Sequence, residues 1–228
     1  MGSVTEFVLE HYASWRSFRW ERSRLLGGLF VTLSNASEPT PHTVVVTIVS
    51  DEELMRLYRG GDEEAFRTLY ERYRAPLVRF VRRTALDQAD AEEIVQETWL
   101  AVIRGRERYV ASARFVTYLF SIARRRGMDR WRQRGRQPEL QDAGAIESFP
   151  APARTQPESL IGEEALAQAL AAAVETLPLL QREAFLLRAE TDLTIEEIAQ
   201  VTGTTRETAK SRLRYGVNRL RAALETWT

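Results

Sequence analysis

Residues 90–136 read DAEEIVQETWLAVIRGRERYVASARFVTYLFSIARRRGMDRWRQRGR. The first third sets Asp90, Glu93, Gln96 and Glu97 at three/four spacing, which on a helix is one polar, mostly anionic stripe. Leu100 continues that stripe with an apolar side chain, while Ile94, Val95, Thr98, Trp99 and Val102 face inward. The spacing predicts a helix over 91–104, a loop over 105–111 and a second helix from Ser112 to about Arg134. From Arg104 to Arg136 there are eleven arginines against two acids, a net of +9. Acids early in a helix suit its dipole, and they also suit a basic protein partner, with Leu100 as an apolar anchor. Arginines hold phosphates, and aromatics among them can stack on unpaired bases at roughly 1–3 kcal/mol per base. Among these aromatics Phe120, with Ile122 beside it, reads as core. Tyr109, next to the loop, is open to a base or to the core, and Trp131 to DNA or to the domain's end.

Upstream, Ser50 and Glu53 form a capping-box pattern, and the short helix it begins stops at Gly60-Gly61. Asp62 caps the next helix, whose apolar face is Phe66, Leu69, Tyr70, Tyr73, Leu77, Phe80 and Val81. Pro76 lies inside that pattern and predicts a kink or a local break. Residues 1–49 are an N-terminal extension with a short amphipathic stretch, a polar loop and the β-branched run Val44–Val49.

Downstream, residues 137–157 are rich in proline, small residues and acids and have no helical period, so they read as a linker between domains. The segment 158–228 then predicts an alanine-rich helix over 165–176, a helix begun by Pro178, and a helix-turn-helix. In that motif Thr194 and Glu197 cap a short helix, Thr202-Gly203-Thr204 turns, and Thr204 with Glu207 caps a basic helix running to about Leu224. Residues 206–221 carry six basic residues and one acid, a net of +5. The exposed side of this helix is Arg206, Glu207, Lys210, Ser211, Arg214 and Tyr215. Lysine and arginine there can read guanine edges or hold phosphates, or they can form the solvated face of a bundle. The fold class is therefore all-α: two small helical domains joined by a flexible linker, the second containing a helix-turn-helix.

The 228 residues balance 32 basic against 32 acidic side chains, so any nucleic-acid reading rests on local charge alone. There is no cysteine, and His11 and His42 stand apart without ligand-spaced neighbours, so no metal is expected. The stripe acids have no histidine, glycine-rich loop or apolar pocket beside them, which argues against an enzyme and against a cofactor. No apolar run reaches the ~18 residues of a membrane span, and the first residues lack a signal-peptide layout. A cytoplasmic protein without membrane insertion is expected.

Three motifs together resemble one family. DEELMRLYRGGDEEAFRTLYERY, then DAEEIVQETWLAVIR with FVTYLFSIARRRGMDRWRQR, resemble region 2 of the bacterial sigma-70 family. LPLLQREAFLLRAETDLTIEEIAQVTGTTRETAKSRLRYGVNRLRAAL resembles its region 4. Their order and spacing are those of the extracytoplasmic-function (ECF) RNA polymerase sigma factors. The resemblance implies a promoter-specificity subunit that binds core RNA polymerase, recognises −35 and −10 elements of promoter DNA and promotes melting. It implies docking on the β′ clamp helices through Asp90, Glu93, Gln96, Glu97 and Leu100. It implies −10 contacts, with a flipped base, by Tyr109, Phe115, Tyr118, Arg126 and Arg130, and −35 contacts by Arg206, Lys210, Ser211, Arg214 and Tyr215. An anti-sigma factor is a further partner the family leads one to expect. The implied division is an extension (1–49), a region 2 domain (50–136), a linker (137–157) and a region 4 domain (158–228). Three features depart from the family pattern: the extension, Glu207 where a small residue is common, and Ala113-Arg114 where a glycine commonly precedes Phe115. The competing reading is a stand-alone helix-turn-helix regulator, which would have no use for the acidic stripe.

Overall fold

The computed structural model describes residues 49–136 and 163–225. The Ser50 hydroxyl accepts from the Glu53 N–H at 3.2 Å and begins α1 (Asp51–Arg59). The Glu53 carboxylate does not return to the cap; it takes Arg56 Nε at 2.7 Å. Gly61, at φ 101°, makes the turn that α1 needs, and Asp62 then accepts from the Glu64 and Ala65 N–H groups to start α2 (Glu63–Thr84). Of the kink or local break expected at Pro76, the break does not occur: α2 runs through it. The ring is buried in the domain beside Leu77, Phe80 and Val81. That packing offsets the ~3 kcal/mol an interior proline costs.

The next helix, α3 (Gln88–Gly105), starts three residues ahead of the predicted one. Asp87, in extended backbone, accepts from the Asp90 N–H at 2.9 Å and caps the helix, which puts Asp90 inside its first turn. A 3-10 turn (Arg106–Arg108) and a loop lead to α4 (Phe115–Gln133), which begins at Phe115 and not at Ser112. Phe80 meets Phe120 edge-on at 5.3 Å in the core of these four helices, and Trp99 packs on Phe66 and Tyr70. Trp131 donates its indole N–H to the Thr84 carbonyl at 3.1 Å, tying the end of α4 to the end of α2. It therefore closes the domain.

The second group is α5 (Glu163–Thr176), α6 (Leu179–Thr191), α7 (Ile195–Thr202) and α8 (Arg206–Leu224). The capping box at Thr194 and Glu197 is complete, with bonds of 2.8 and 3.2 Å. Gly203 ends α7 at φ 61°. Thr205, not Thr204, caps α8 by accepting from the Thr208 N–H at 3.2 Å. Gly216 lets α8 approach α6, since a Cβ there would lie 3.3 Å from the Gln181 carbonyl oxygen. The two groups also pack on each other, α4 against α7 and α2 against α6.

The described residues contain helices and no strand, in agreement with the all-α expectation. No helix among them is long and apolar enough to cross a membrane. The expectations for the extension, including His11 and His42, and for the linker lie outside the described residues.

Candidate nucleic-acid interface

Three ring systems gather where the 3-10 turn, the loop and α4 meet. Tyr109, at the loop's start, packs edge-on against Phe115 at 6.3 Å and against Tyr118 at 5.3 Å. Tyr73 of α2 stacks obliquely on Phe115 at 5.6 Å. Tyr109 is 8% exposed and Phe115 0%, so the loop is anchored on both sides by buried rings. Between them Val110 stands 74% exposed. The Tyr109 hydroxyl is buried and has no hydrogen-bond partner among the described residues. Burial, followed by the Glu52 and Asp51 carboxylates, pushes its pKa up to about 12, so it stays an O–H donor. The structure brings Tyr109, Phe115 and Tyr118, three of the five residues expected at the −10 strand, into mutual contact. The sequence left Tyr109 undecided between base and core; here the ring is core at the edge of the loop, with its polar end unsatisfied.

Arg126 and Arg130 sit elsewhere. Arg130 lies roughly 18 Å along α4 from Tyr118, at 1.5 Å of rise per residue. Both arginines face α3. Arg130 pairs with Glu93 and, at 3.7 Å, with Glu97; Arg126 is 3.7 Å from Glu97. A cleft of about 310 Å³ opens over these groups, lined by Glu97, Arg126, Asp129, Arg130, Arg132 and Gln133. Arg134 extends the ladder, reaching Asp87 at 2.8 Å and Asp90 at 3.0 Å. The anionic stripe and part of the cationic helix, which the sequence suggested for two separate partners, thus neutralise each other inside one domain. Asp90 leaves the stripe altogether: it is 4% exposed and held by Arg134, because its position one turn into α3 faces the end of α4. Glu93, Gln96 and Leu100 remain exposed, Leu100 at 44%.

On α8 the expected reading face is open. Lys210 and Arg214 are exposed, and Ser211 and Tyr215 lie half-buried between them. Arg214 covers the Tyr215 ring, with its guanidinium carbon 5.0 Å from the centroid. Arg206, at the start of α8, is occupied by Glu196 at 2.5 Å and Glu207 at 3.1 Å. Arg206 thereby lowers the Glu196 carboxyl from its ordinary value. Arg212, adjacent on the sequence, is buried.

Sequence reasoning missed two contacts to the loop. Glu52 of α1 accepts from the Phe115 N–H at 2.8 Å, and Arg114 reaches the Glu197 carboxylate at 3.4 Å in the second group of helices. Glu52 carries no local signal beyond an acid in a first turn. Arg114 had one: it is the unusual cation where a glycine was expected.

A family model described as Sigma-70 region 2 matches residues 69–137, and one described as Sigma-70, region 4 matches residues 167–220. The chain is 30% identical over 170 residues to RNA polymerase sigma factor CarQ of Myxococcus xanthus, covering 75% of this chain and 95% of that one. It is 29% identical over 171 residues to the ECF RNA polymerase sigma-E factor of Escherichia coli K12, covering 72% and 89%. Its fold is similar to that of CnrH in complex with the cytosolic domain of CnrY, at a TM-score of 0.53 and 20% identity over 77% of this chain and 97% of that chain. It is also similar to the sigma factor RpoE in complex with the anti-sigma factor NepR from Bartonella quintana, at a TM-score of 0.52 and 26% identity over 70% and 96%.

Proposed function

The chain belongs to the extracytoplasmic-function group of the sigma-70 family, and on that premise we propose how its residues divide the work of a promoter-specificity factor. It binds core RNA polymerase, recognises −35 and −10 elements and promotes melting; the stand-alone regulator is not favoured. The −35 duplex falls to Lys210, Ser211, Arg214 and Tyr215 of α8, with Arg206 at its edge. The melted −10 strand falls to the loop ending at Phe115, with Tyr109, Phe115 and Tyr118 forming its pocket and Arg126 and Arg130 further along the strand. Flipping a base out of the stack costs a few kcal/mol, which a prepared aromatic pocket and a backbone contact offset. Polymerase docks on Glu93, Gln96, Glu97 and Leu100; Asp90 holds Arg134 and supports the stripe from beneath.

One observation carries this reading: the aromatic cluster at the loop and the open basic face of α8 occur in one chain whose α3 offers a partly exposed acidic stripe ending in Leu100. A regulator acting without polymerase has no use for the third. The chain divides into an extension (1–49), a region 2 domain (50–136), a linker (137–157) and a region 4 domain (158–228). It works in the cytoplasm, acts by binding without catalysis or cofactor, and is held by an anti-sigma factor, as the RpoE relative is in complex with NepR. The test is capture of core RNA polymerase by the purified full-length chain, followed by run-off transcription on genomic fragments. Capture with discrete new start sites is the expected result. A chain that neither captures polymerase nor directs a start would sink the assignment.

A further inference from the structure

We propose that Glu52 is a positioning residue for promoter opening: its carboxylate reaches from α1 to cap the N-terminus of α4 and so sets the foot of the loop that carries Tyr109 and Phe115. This rests on the assignment of that loop to the melted strand.

A helix start leaves its first N–H groups without internal partners, and they are met by a cap, by water or by neighbours. On α4 the local supply fails. Arg114 stands at the N-cap and makes no side-chain cap bond, and its charge is the wrong sign for the positive end of a helix. The first internal bond is Tyr118 N–H to the Arg114 carbonyl at 3.1 Å. The N–H groups of Phe115, Val116 and Thr117 precede it, and all three residues are buried, which keeps water from serving them. Glu52 meets the first of these three, taking the Phe115 N–H at 2.8 Å with the charge a helix start favours.

Glu52 is itself held in place. Its neighbour Asp51 is bonded by Arg72 and by the Tyr73 hydroxyl of α2, and Leu54 and Met55 of α1 are fully buried. The same Tyr73 ring packs on Phe115. The path from α2 through Asp51 and Glu52 to the Phe115 amide is therefore a rigid bracket. It meets α4 at the one residue where the exposed loop becomes helix. The carboxylate meets the Phe115 N–H at the foot of the loop, where its charge serves the helix end. The packing of α1 rests on its buried Leu54, Met55 and Tyr58 and on the bonds of Asp51, so losing the Glu52 hydrogen bond leaves the domain assembled while freeing the loop's foot.

The experiment uses the full-length chain with core RNA polymerase and the promoter identified by run-off transcription. Opening is read by a fluorescent base analogue in the −10 region, and strand capture by a labelled single-stranded −10 oligonucleotide against a scrambled one. Glu52→Ala is expected to assemble with polymerase and bind the −35 duplex as the unsubstituted chain does. It is expected to open the promoter about tenfold more slowly, the scale of one charge-assisted hydrogen bond, and to lose preference for the −10 strand. Glu52→Gln keeps an acceptor oxygen and is expected within about twofold of the unsubstituted chain, since a neutral cap retains most of the bond. Opening by Glu52→Ala at the unsubstituted rate overturns the proposal. So does an equal loss of polymerase assembly and −35 binding, which marks a purely structural role, and so does a Glu52→Gln chain no better than Glu52→Ala. An unsubstituted chain that assembles but captures no −10 strand overturns the loop assignment itself, and the proposal with it.

Discussion

Arg124 Nε on α4 donates to Glu183 Oε2 on α6 at 3.0 Å, and the two side chains are 15% and 4% exposed. This pair joins the two groups of helices, and a second one, Arg79 with the equally buried Glu190 at 2.7 Å, repeats the arrangement. Arg182 adds a donation to the Arg83 carbonyl at 2.9 Å. The halves are thus fastened by ion pairs withdrawn from water. Such pairs recover little net stability, because desolvating both charges costs nearly what their attraction returns, but removing one partner strands the other. Arg124→Ala should therefore lower stability by about 3 kcal/mol, while Arg124→Met with Glu183→Leu should recover most of the loss. Urea unfolding of the three chains checks this, and a single substitution without effect would show that the pair bears no load.

Glu93 has two calls on its charge. It pairs with Arg130 of α4, and it belongs to the stripe proposed to dock on polymerase. With Glu93 51% exposed, the internal pair contributes little, ~0–1 kcal/mol. Glu93→Lys should leave the fold intact and weaken binding to core polymerase at least tenfold, by turning attraction into repulsion at the interface. The informative chain is Glu93→Lys with Arg130→Glu, which restores the internal pair with reversed sign. Binding should stay weak in it. If titration of labelled protein with core polymerase shows affinity returning, Glu93 serves α4 and not polymerase.

Lys210 and Arg214 are exposed on α8, and among the described residues neither is engaged by an acid. Replacing either by alanine should remove −35-dependent initiation while core binding persists. A residue that contacts phosphate should lower the dependence of duplex affinity on salt by about one ion when removed, whereas a base-reading residue should relax sequence preference with a cost of ~1–3 kcal/mol. Affinity measured across a salt series on matched and altered −35 duplexes separates the two roles. Unchanged promoter choice in both chains would overturn the assignment of α8.

Helix identities and the helix-turn-helix were legible because period and caps are local: Ser50, Asp62, Thr194 and Gly203 each act on backbone within a few residues. Errors arose where partners are distant. Asp90 looked exposed by its spacing, yet Arg134, forty-four residues on, buries it. Trp131 looked equally suited to DNA, and only the Thr84 carbonyl across the domain decides that it closes the core. The start of α4 was misplaced at Ser112 because its cap, Glu52, is sixty-three residues upstream. No period in the loop encodes that contact.

Gly203 holds the turn of the helix-turn-helix at φ 61°, and a Cβ there would meet no atom within 4 Å. Any penalty for a side chain is therefore conformational and not steric contact with neighbours. Gly203→Ala should cost about 1 kcal/mol, and Gly203→Asn less, since asparagine tolerates the left-handed region. Thermal unfolding of the two chains tests the order. Equal or greater loss in the asparagine chain would mean that something other than backbone conformation sets the cost.

Two sets of carboxylates give the pH profile opposite slopes. Asp87 is lowered by accepting the Asp90 N–H and then by Arg134, and Glu196 by Arg206. A carboxyl lowered in the folded chain adds stability that is fully present above its unfolded value and is lost as pH falls through the folded one. These caps and pairs should therefore hold at neutral pH and fail below about pH 4, the unperturbed carboxylate range. Glu183 runs the other way: burial raises its carboxyl, against the pull of Arg124. Its folded form binds a proton more tightly than the unfolded form, so the packed halves lose stability as pH rises from the carboxylate range through the raised value. Asp87→Asn keeps an acceptor for the cap but has no charge to lose, and should flatten the acid limb from about pH 5 to about pH 3. Glu183→Gln should flatten the loss that appears above the carboxylate range and leave the acid limb unchanged. Chemical unfolding at a series of pH values resolves both limbs. An acid limb unchanged by Asp87→Asn would mean that the Asp87 cap is not among the groups whose protonation unfolds the chain.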